Sequence, residues 1–148
     1  MKRLALLLAA GAVLAGCGGS SRLSKSAYEA KLQADGRSVQ TSLTKLTKHP
    51  PTSLSDLATR VDRTEAVVKT AADDIGSLKP PSDAVADNAA IVTFLHRVQS
   101  GLEQVKKNPT AASSIVAAIE KSPQLKAALK ATADLKSKGY KVGVIGAP

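Results

Sequence analysis

Residues 82–108 read SDAVADNAAIVTFLHRVQSGLEQVKKN and lie between two prolines, Pro81 and Pro109. Proline breaks the interior of a helix, and this stretch contains none. Apolar residues recur along it with the spacing of one helical face, at Val85, Ala89, Val92, Leu95, Leu102 and Val105. The stretch therefore predicts one long helix that begins at Ser82 and Asp83.

The other prolines also lie at junctions or at the end of the chain, which leaves two comparable windows before this one. The first window begins at Ser24 or Ser26, and Ser26 with Glu29 has the spacing of a capping box. Its apolar stripe is Tyr28, Leu32, Val39, Leu43 and Leu46. The second begins at Ser53, and its stripe is Leu54, Leu57, Val61, Val68, Ile75 and Leu78. Three helices of about 22 to 25 residues, each roughly 35 Å long, favour antiparallel packing.

The last part of the chain predicts a fourth rod in two pieces. Residues 110–121 form the first piece, and the second has Ser122 as its cap, Pro123 at its first helical position and Gly139 at its end. The predicted fold is an all-α, up-and-down bundle of three long helices plus a bent or split fourth, over residues 24–139. We expect five residues of the apolar stripes to be buried: Leu57, Val61, Leu95, Leu102 and Leu129.

Both ends of the chain differ in composition from this domain. Residues 140–148 hold too much glycine for a helix and are expected to be an extended or disordered tail. Residues 1–3 begin with a positive charge, and residues 4–14 are apolar and uncharged, which is the order of a secretory signal. An apolar run of about 11 residues is too short to cross a bilayer as a helix, which needs about 20.

The residues that follow, Leu14-Ala15-Gly16-Cys17, resemble the lipobox of bacterial lipoproteins. That resemblance implies that residues 1–16 are a signal peptide, that cleavage falls before Cys17, and that Cys17 carries a diacylglyceryl thioether with acylation of the new amino terminus. Stable anchoring takes two acyl chains, which a diacylglyceryl group supplies. Residues 17–23 would then be the lipidated cysteine and a short flexible spacer on the extracytoplasmic face of a membrane. The alternative is an ordinary secretory signal with an unrelated cysteine.

Two phrases inside the domain carry a second, looser resemblance. LSKSAYE at residues 23–29, soon after the lipobox, and LKPPSD at residues 78–83 are together similar to small uncharacterised helical lipoproteins of high-GC Gram-positive bacteria. This resemblance implies no activity. The double proline of residues 78–83 also repeats that of residues 49–53, either as a trace of duplication or, more simply, by chance.

The charge of the domain is positive and unevenly distributed. Without residues 1–16 the chain has a net charge of +7, and residues 17–50 and residues 109–148 each carry +4. Lys126, Lys130 and Lys138 lie on one side of the last predicted helix. Near an anionic leaflet each surface cation contributes roughly 1 kcal/mol, so these lysines are candidates for contact with anionic lipid or an envelope polymer. The alternative is a solvated lysine face.

Few residues point to other chemistry. His96 lies beside the apolar stripe of residues 82–108 and is a candidate ligand or switch, or more simply a boundary residue. Because the histidines lack the spacing of a metal site and Cys17 is the only cysteine, we expect no metal, cofactor or disulfide. We interpret Asp62, Glu65, Asp73 and Asp74 as a solvated face beside Arg60, Arg63 and Lys69. With two tyrosines and one phenylalanine to stack on bases, the chain is not expected to bind nucleic acid.

These observations predict a membrane-anchored envelope lipoprotein that acts as a non-catalytic binding or scaffolding module, with an unknown protein partner. One alternative is a bundle that carries a small apolar ligand or lipid, which a large hydrophobic pocket between helices would indicate. Another is an accessory subunit of an envelope enzyme, with a cleft lined by His96 and carboxylates.

Overall fold

The computed structural model describes residues 21–48 and 51–143 as an all-α bundle. Over that part of the chain there are five α-helices and no strands, and short 3₁₀ turns, Ser82–Ala84 and Pro109–Ala111, precede two of the helices. The helices are α1 Lys25–Lys48, α2 Leu54–Ser77, α3 Val85–Lys107, α4 Ala112–Glu120 and α5 Pro123–Ser137. The predicted fold of three long helices plus a split fourth is confirmed. The predicted signal peptide, Cys17, the spacer as far as residue 20, His49 and residues 144–148 lie outside the described residues.

Serine hydroxyl groups cap three of the helices. Ser53 accepts from the Asp56 N–H at 3.0 Å, and Ser122 accepts from the Leu125 N–H at 3.2 Å, as the sequence predicts. α1 is capped by Ser24, which accepts from the Ala27 N–H at 3.2 Å. The predicted capping box of Ser26 and Glu29 is wrong, because Glu29 accepts a hydrogen bond from a distant part of the chain instead.

α5 ends in a Schellman motif at Gly139, where the sequence predicts its end. Gly139 has a φ of +77°, a left-handed conformation that glycine adopts without strain. The Gly139 N–H donates to the Lys136 carbonyl, and the Tyr140 N–H donates to the Leu135 carbonyl, each at 2.9 Å. Tyr140 and Leu135 are both buried, which adds the apolar contact that accompanies this motif. The motif turns the chain back towards the bundle.

The core is centred on α3, which packs against α2 on one side and against α5 and α4 elsewhere, while α1 packs on α2. Val61, Leu95 and Leu102 are buried as predicted, and Leu57 is half-buried against the core. The prediction that Leu129 is buried is wrong, since it is 42% exposed. The buried face of α5 consists of Ala128, Ala131, Thr132 and Leu135. The alanines allow α5 to approach α3 closely, and Leu129 lies beside that face.

The apolar face of α3 also differs from its predicted stripe. Val85 and Ala89 are exposed, and Val92 is half-buried. The buried residues of α3 are Asp87, Asn88, Ile91, Phe94, Leu95, Val98, Gly101, Leu102 and Val105. This face is wide because three other helices pack around α3. A single stripe read from the sequence does not indicate that a helix has several neighbours.

α4 lies against the second half of α3 at Gly101. A Cβ atom added to Gly101 would meet the side chain of Ile119 and would lie 3.4 Å from the Ile115 Cγ2 atom. The absence of a side chain at Gly101 therefore allows the two helices to approach closely. None of the helices in the described ranges is both long and apolar enough to span a membrane.

Candidate functional site

Three parts of the chain meet at one end of the bundle, which we call the basal end: the start of α1, the junction between α2 and α3, and the end of α5 with the residues after it. The Leu23 N–H donates to the Lys79 carbonyl at 2.7 Å, and the Arg22 guanidinium donates to the Pro80 carbonyl at 3.0 Å. The up-and-down order of the helices brings these parts together. The opposite end, where α1 and α3 finish and α2 begins, is the distal end.

The basal end contains a hydrogen-bonded set of side chains, the junction cluster, which consists of Tyr28, Asp83, Asp87, Asn88, Lys138 and Tyr140. Tyr28 is fully buried, and its hydroxyl donates to Asn88 Oδ1 at 3.0 Å. The Asn88 amide in turn donates to the Ile75 carbonyl at 3.1 Å. The rings of Tyr28 and Tyr140 pack edge to face, with centroids 5.9 Å apart and an interplanar angle of 89°.

The second half of the junction cluster joins the end of α5 to the start of α3. The Tyr140 hydroxyl donates to Asp83 Oδ1 at 2.7 Å. Lys138 Nζ donates to Asp87 Oδ2 and to the Asp83 carbonyl, both at 2.6 Å. Lys25 Nζ lies 4.6 Å from the centre of the Tyr140 ring, close enough for a cation–π contact, and donates to the Lys138 carbonyl at 2.7 Å. These contacts tie α1, α3 and α5 together.

Burial and neighbouring carboxylates raise the pKa values of both phenols in the cluster. Burial raises the pKa of Tyr28, and the charge of Asp87 raises it further. Burial, followed by the hydrogen bond to Asp83, raises the pKa of Tyr140 to about 12. In the described parts of the chain, every buried side-chain nitrogen and oxygen atom has a hydrogen-bond partner. The cluster therefore has the chemistry of a structural network.

Residues 140–143 extend the cluster as a strap along the start of α1. The Lys141 N–H donates to Glu29 Oε1 at 3.0 Å, and the side chain of Gln33 donates to the Lys141 carbonyl. Tyr140 and Val142 are buried. Glu29 and Gln33 are four positions apart on one face of α1, so one acceptor and one donor face the strap. The sequence predicts a capping role for Glu29 and none for Gln33, and nothing in their spacing indicates a partner more than a hundred residues away.

The three lysines predicted as a binding face have different surroundings. Lys126 is exposed and has no acidic partner within the described residues. Lys130 forms an exposed ion pair with Asp134 at 2.5 Å. Lys138 is 36% exposed and pairs with Asp87, whose side chain is 8% exposed. The structure therefore does not bring the three ammonium groups together as one free basic face.

The other candidate residues lie on exposed surface. His96 is exposed on α3. Lys69 and Asp73 form an i,i+4 ion pair at 2.6 Å, and Asp62 pairs with Lys106 at 2.5 Å, in agreement with the interpretation of these acids as a solvated face. In the parts of the chain that the structure describes, no group of three or more His, Cys, Asp or Glu side chains could hold a metal ion.

An open groove of about 300 Å³ lies between α1 and α2. Its lining is Asp35, Ser38, Ala66, Val67, Thr70 and Ala71. Partial burial raises the pKa of the Asp35 carboxyl, and the charge of Asp74 raises it further. The volume is at the lower limit for small-molecule sites, and His96 is not among the lining residues.

Comparison with known proteins found no relative of this chain. No family model matches the chain, and no curated protein or solved structure matches it. The class that the fold defines is an all-α helical bundle.

Proposed function

We propose that this chain is an envelope lipoprotein, held on the extracytoplasmic face of a membrane by lipid on Cys17, whose bundle is a non-catalytic binding or scaffolding module. The observation that carries the proposal is the order of residues 1–17: a basic start, an apolar run, small residues and then the single cysteine of the chain. A lone cysteine in an exported protein is explained by lipidation.

The basal end supports the anchoring part of the proposal. The chain enters the bundle there, and the hydrogen bonds of Arg22 and Leu23 to the junction between α2 and α3 hold the entry point in place. A lipid on Cys17 would therefore be attached next to an end of the bundle that these hydrogen bonds stabilise. The bonding of the junction cluster supports the non-catalytic part, because its donors and acceptors are used by one another.

The test of the anchor is metabolic labelling with a clickable fatty acid, compared between the wild type and Cys17→Ala. The wild type should carry the label and sediment with membranes. Cys17→Ala should lose the label and move into the soluble fraction. Equal labelling of the two chains would overturn the proposal.

The binding part of the proposal is contact of basic surface with anionic lipid or an envelope polymer. Lys126 is a usable probe of that surface, since it is exposed. Lys138 is not a usable probe, because its replacement would leave the Asp87 carboxylate without its cation. The chain with Cys17→Ala should bind anionic vesicles or polymer at low salt and release them at high salt. Absence of binding at low salt would leave the basic residues as a solubilising surface and contradict this part.

A further inference from the structure

Five cations surround the basal end without an acidic partner among the described residues: Arg22, Lys25, Lys79, Lys136 and Lys141. All five are exposed. Of the acids at this end, Asp87 pairs with Lys138, whereas Glu29 and Asp83 accept from neutral donors, the Lys141 N–H and the Tyr140 hydroxyl, and keep their charge. The five cations outnumber these two carboxylates and that of Asp74 in the last turn of α2, so the outer surface of the basal end has a net positive charge.

The distal end also carries exposed cations, including Lys45, Lys48 and Lys107. The two ends therefore cannot be distinguished by charge alone. They differ in their distance from the proposed attachment point, Cys17, which lies close in sequence to the basal end. From residue 17 to Arg22 the chain can reach at most about 17 Å, at roughly 3.5 Å per residue. The 24 residues of α1 place the distal end about 35 Å further away. An anchor at residue 17 would keep the basal cations near the headgroups in every orientation of the bundle. The distal cations would come within the screening distance of roughly 8 Å only if the bundle lay flat on the membrane.

We propose that the basal end docks on anionic phospholipid headgroups of the leaflet that holds the anchor, so that the bundle stands with α1, α2 and α3 directed away from the membrane. This inference rests on the proposed lipidation of Cys17 and names the partner of that anchored domain. Lys79, Lys136 and Lys141 supply the contact, because their ammonium groups make no bond to the described part of the chain.

The mature chain can be anchored chemically at its natural point, because Cys17 is its only cysteine and couples to a maleimide lipid. The sequence contains no tryptophan, so a single replacement gives a unique fluorescent donor. Val85→Trp reports on the basal end, and Leu54→Trp reports on the distal end, both at exposed positions. Energy transfer to dansyl headgroups then measures how close each end lies to the membrane, in vesicles of phosphatidylcholine with or without phosphatidylglycerol.

On phosphatidylglycerol vesicles at low salt, energy transfer should be strong from the basal donor and weak from the distal donor. The difference in energy transfer between the two donors should fall at high salt and on pure phosphatidylcholine. Under those conditions only the lipid coupled to Cys17 holds the domain at the membrane. Replacing Lys79, Lys136 and Lys141 together by glutamine should lower the docking equilibrium roughly 100-fold, at about fivefold per cation. The matched control, Lys45, Lys48 and Lys107 replaced by glutamine, removes the same charge from the distal end and should change docking by less than about twofold.

An equal loss in the two triple variants, or an equal difference between donors on neutral vesicles, would overturn the docking proposal. Circular dichroism of each variant shows whether the bundle is intact, and Arg22→Gln provides a second basal change with a different structural context. Because chemical coupling supplies the anchor here, failure of docking is separate from failure of lipidation. Absence of fatty-acid label in cells would remove the anchor even if the coupled chain docks.

Discussion

Tyr28 and Tyr140 pack against each other, but their hydroxyl groups have different surroundings. Tyr28 bonds to Asn88, which is 6% exposed, whereas Tyr140 bonds to the exposed carboxylate of Asp83. Tyr28→Phe should lower the free energy of unfolding by about 1 to 3 kcal/mol, because the Asn88 oxygen would be left buried and unpaired. Tyr140→Phe should cost less, about 1 kcal/mol, because water can reach Asp83.

Urea denaturation of the two single variants measures this difference, with each variant retaining its aromatic ring. A larger loss for Tyr140→Phe would mean that the bond to Asp83, and not the buried bond to Asn88, carries the stability of the cluster.

The phenol of Tyr140 also links stability to alkaline pH. Its pKa is 10.0 in the absence of structure and about 12 in the folded chain. The folded state therefore holds a proton that the unfolded state loses, so this contribution is complete below pH 10 and is lost as the pH rises through about 12. Burial of Tyr28 acts in the same direction. The denaturation midpoint should fall above pH 10, and less steeply in Tyr140→Phe. An equal slope in that variant would contradict the assignment to Tyr140.

At the scale of elements, the close approach of α3 and α4 depends on Gly101 and Ile119. Alanine normally stabilises a helix by about 0.5 to 1 kcal/mol relative to glycine. At Gly101 the added Cβ would meet the Ile119 side chain, so the gain should be lost or reversed. Ile119→Val shortens that side chain and should relieve the contact.

A double-mutant cycle tests this contact. Gly101→Ala should be less destabilising in the Ile119→Val background, with a coupling of about 0.5 to 1 kcal/mol. Gly76→Ala is the control, because its added Cβ would lie at an ordinary 3.7 Å from Val92 and no coupling to Ile119 is expected. Additive effects at Gly101 and Ile119 would contradict a contact between the added Cβ atom and the Ile119 side chain.

The ends of the helices were largely predictable, because capping depends on residues close in sequence. Ser53, Ser122 and Gly139 act where the sequence places them. Ser26 and Glu29 show where local reasoning fails. Their spacing fits a cap, but the Glu29 carboxylate bonds to the strap, which offers an otherwise unpaired backbone N–H.

For the molecule as a whole, the strap at residues 140–143 closes the basal end. Removal of residues 140–148 would delete the buried side chains of Tyr140 and Val142 and expose the ring of Tyr28. This deletion should lower the free energy of unfolding by about 3 to 5 kcal/mol, the range for loss of a large core side chain. The helical circular dichroism signal should change little at low temperature, because the strap itself is not helical.

Thermal and urea denaturation check this prediction, with deletion of residues 144–148 as the control that keeps the strap. If the two deletion variants were equally stable, the strap would make no contribution to the packing of α1.

The amino-acid sequence by itself determined the all-α class, the arrangement of three long helices with a bent or split fourth, and where α2 and α5 begin. Prolines, capping serines and Gly139 act through the backbone of their immediate neighbours, so no distant residue is needed to interpret them. The helical spacing also identified Val61, Leu95 and Leu102 as core residues.

Only the tertiary structure decided which side of α3 and α5 is buried, and therefore that Leu129 is exposed. It also decided that Lys138 pairs with Asp87 and that Tyr28 meets Tyr140. These contacts join residues far apart in sequence, and they depend on how closely neighbouring helices approach. That distance depends on small residues such as Ala128, Ala131 and Gly101 on the facing surfaces, which a helical period alone does not reveal.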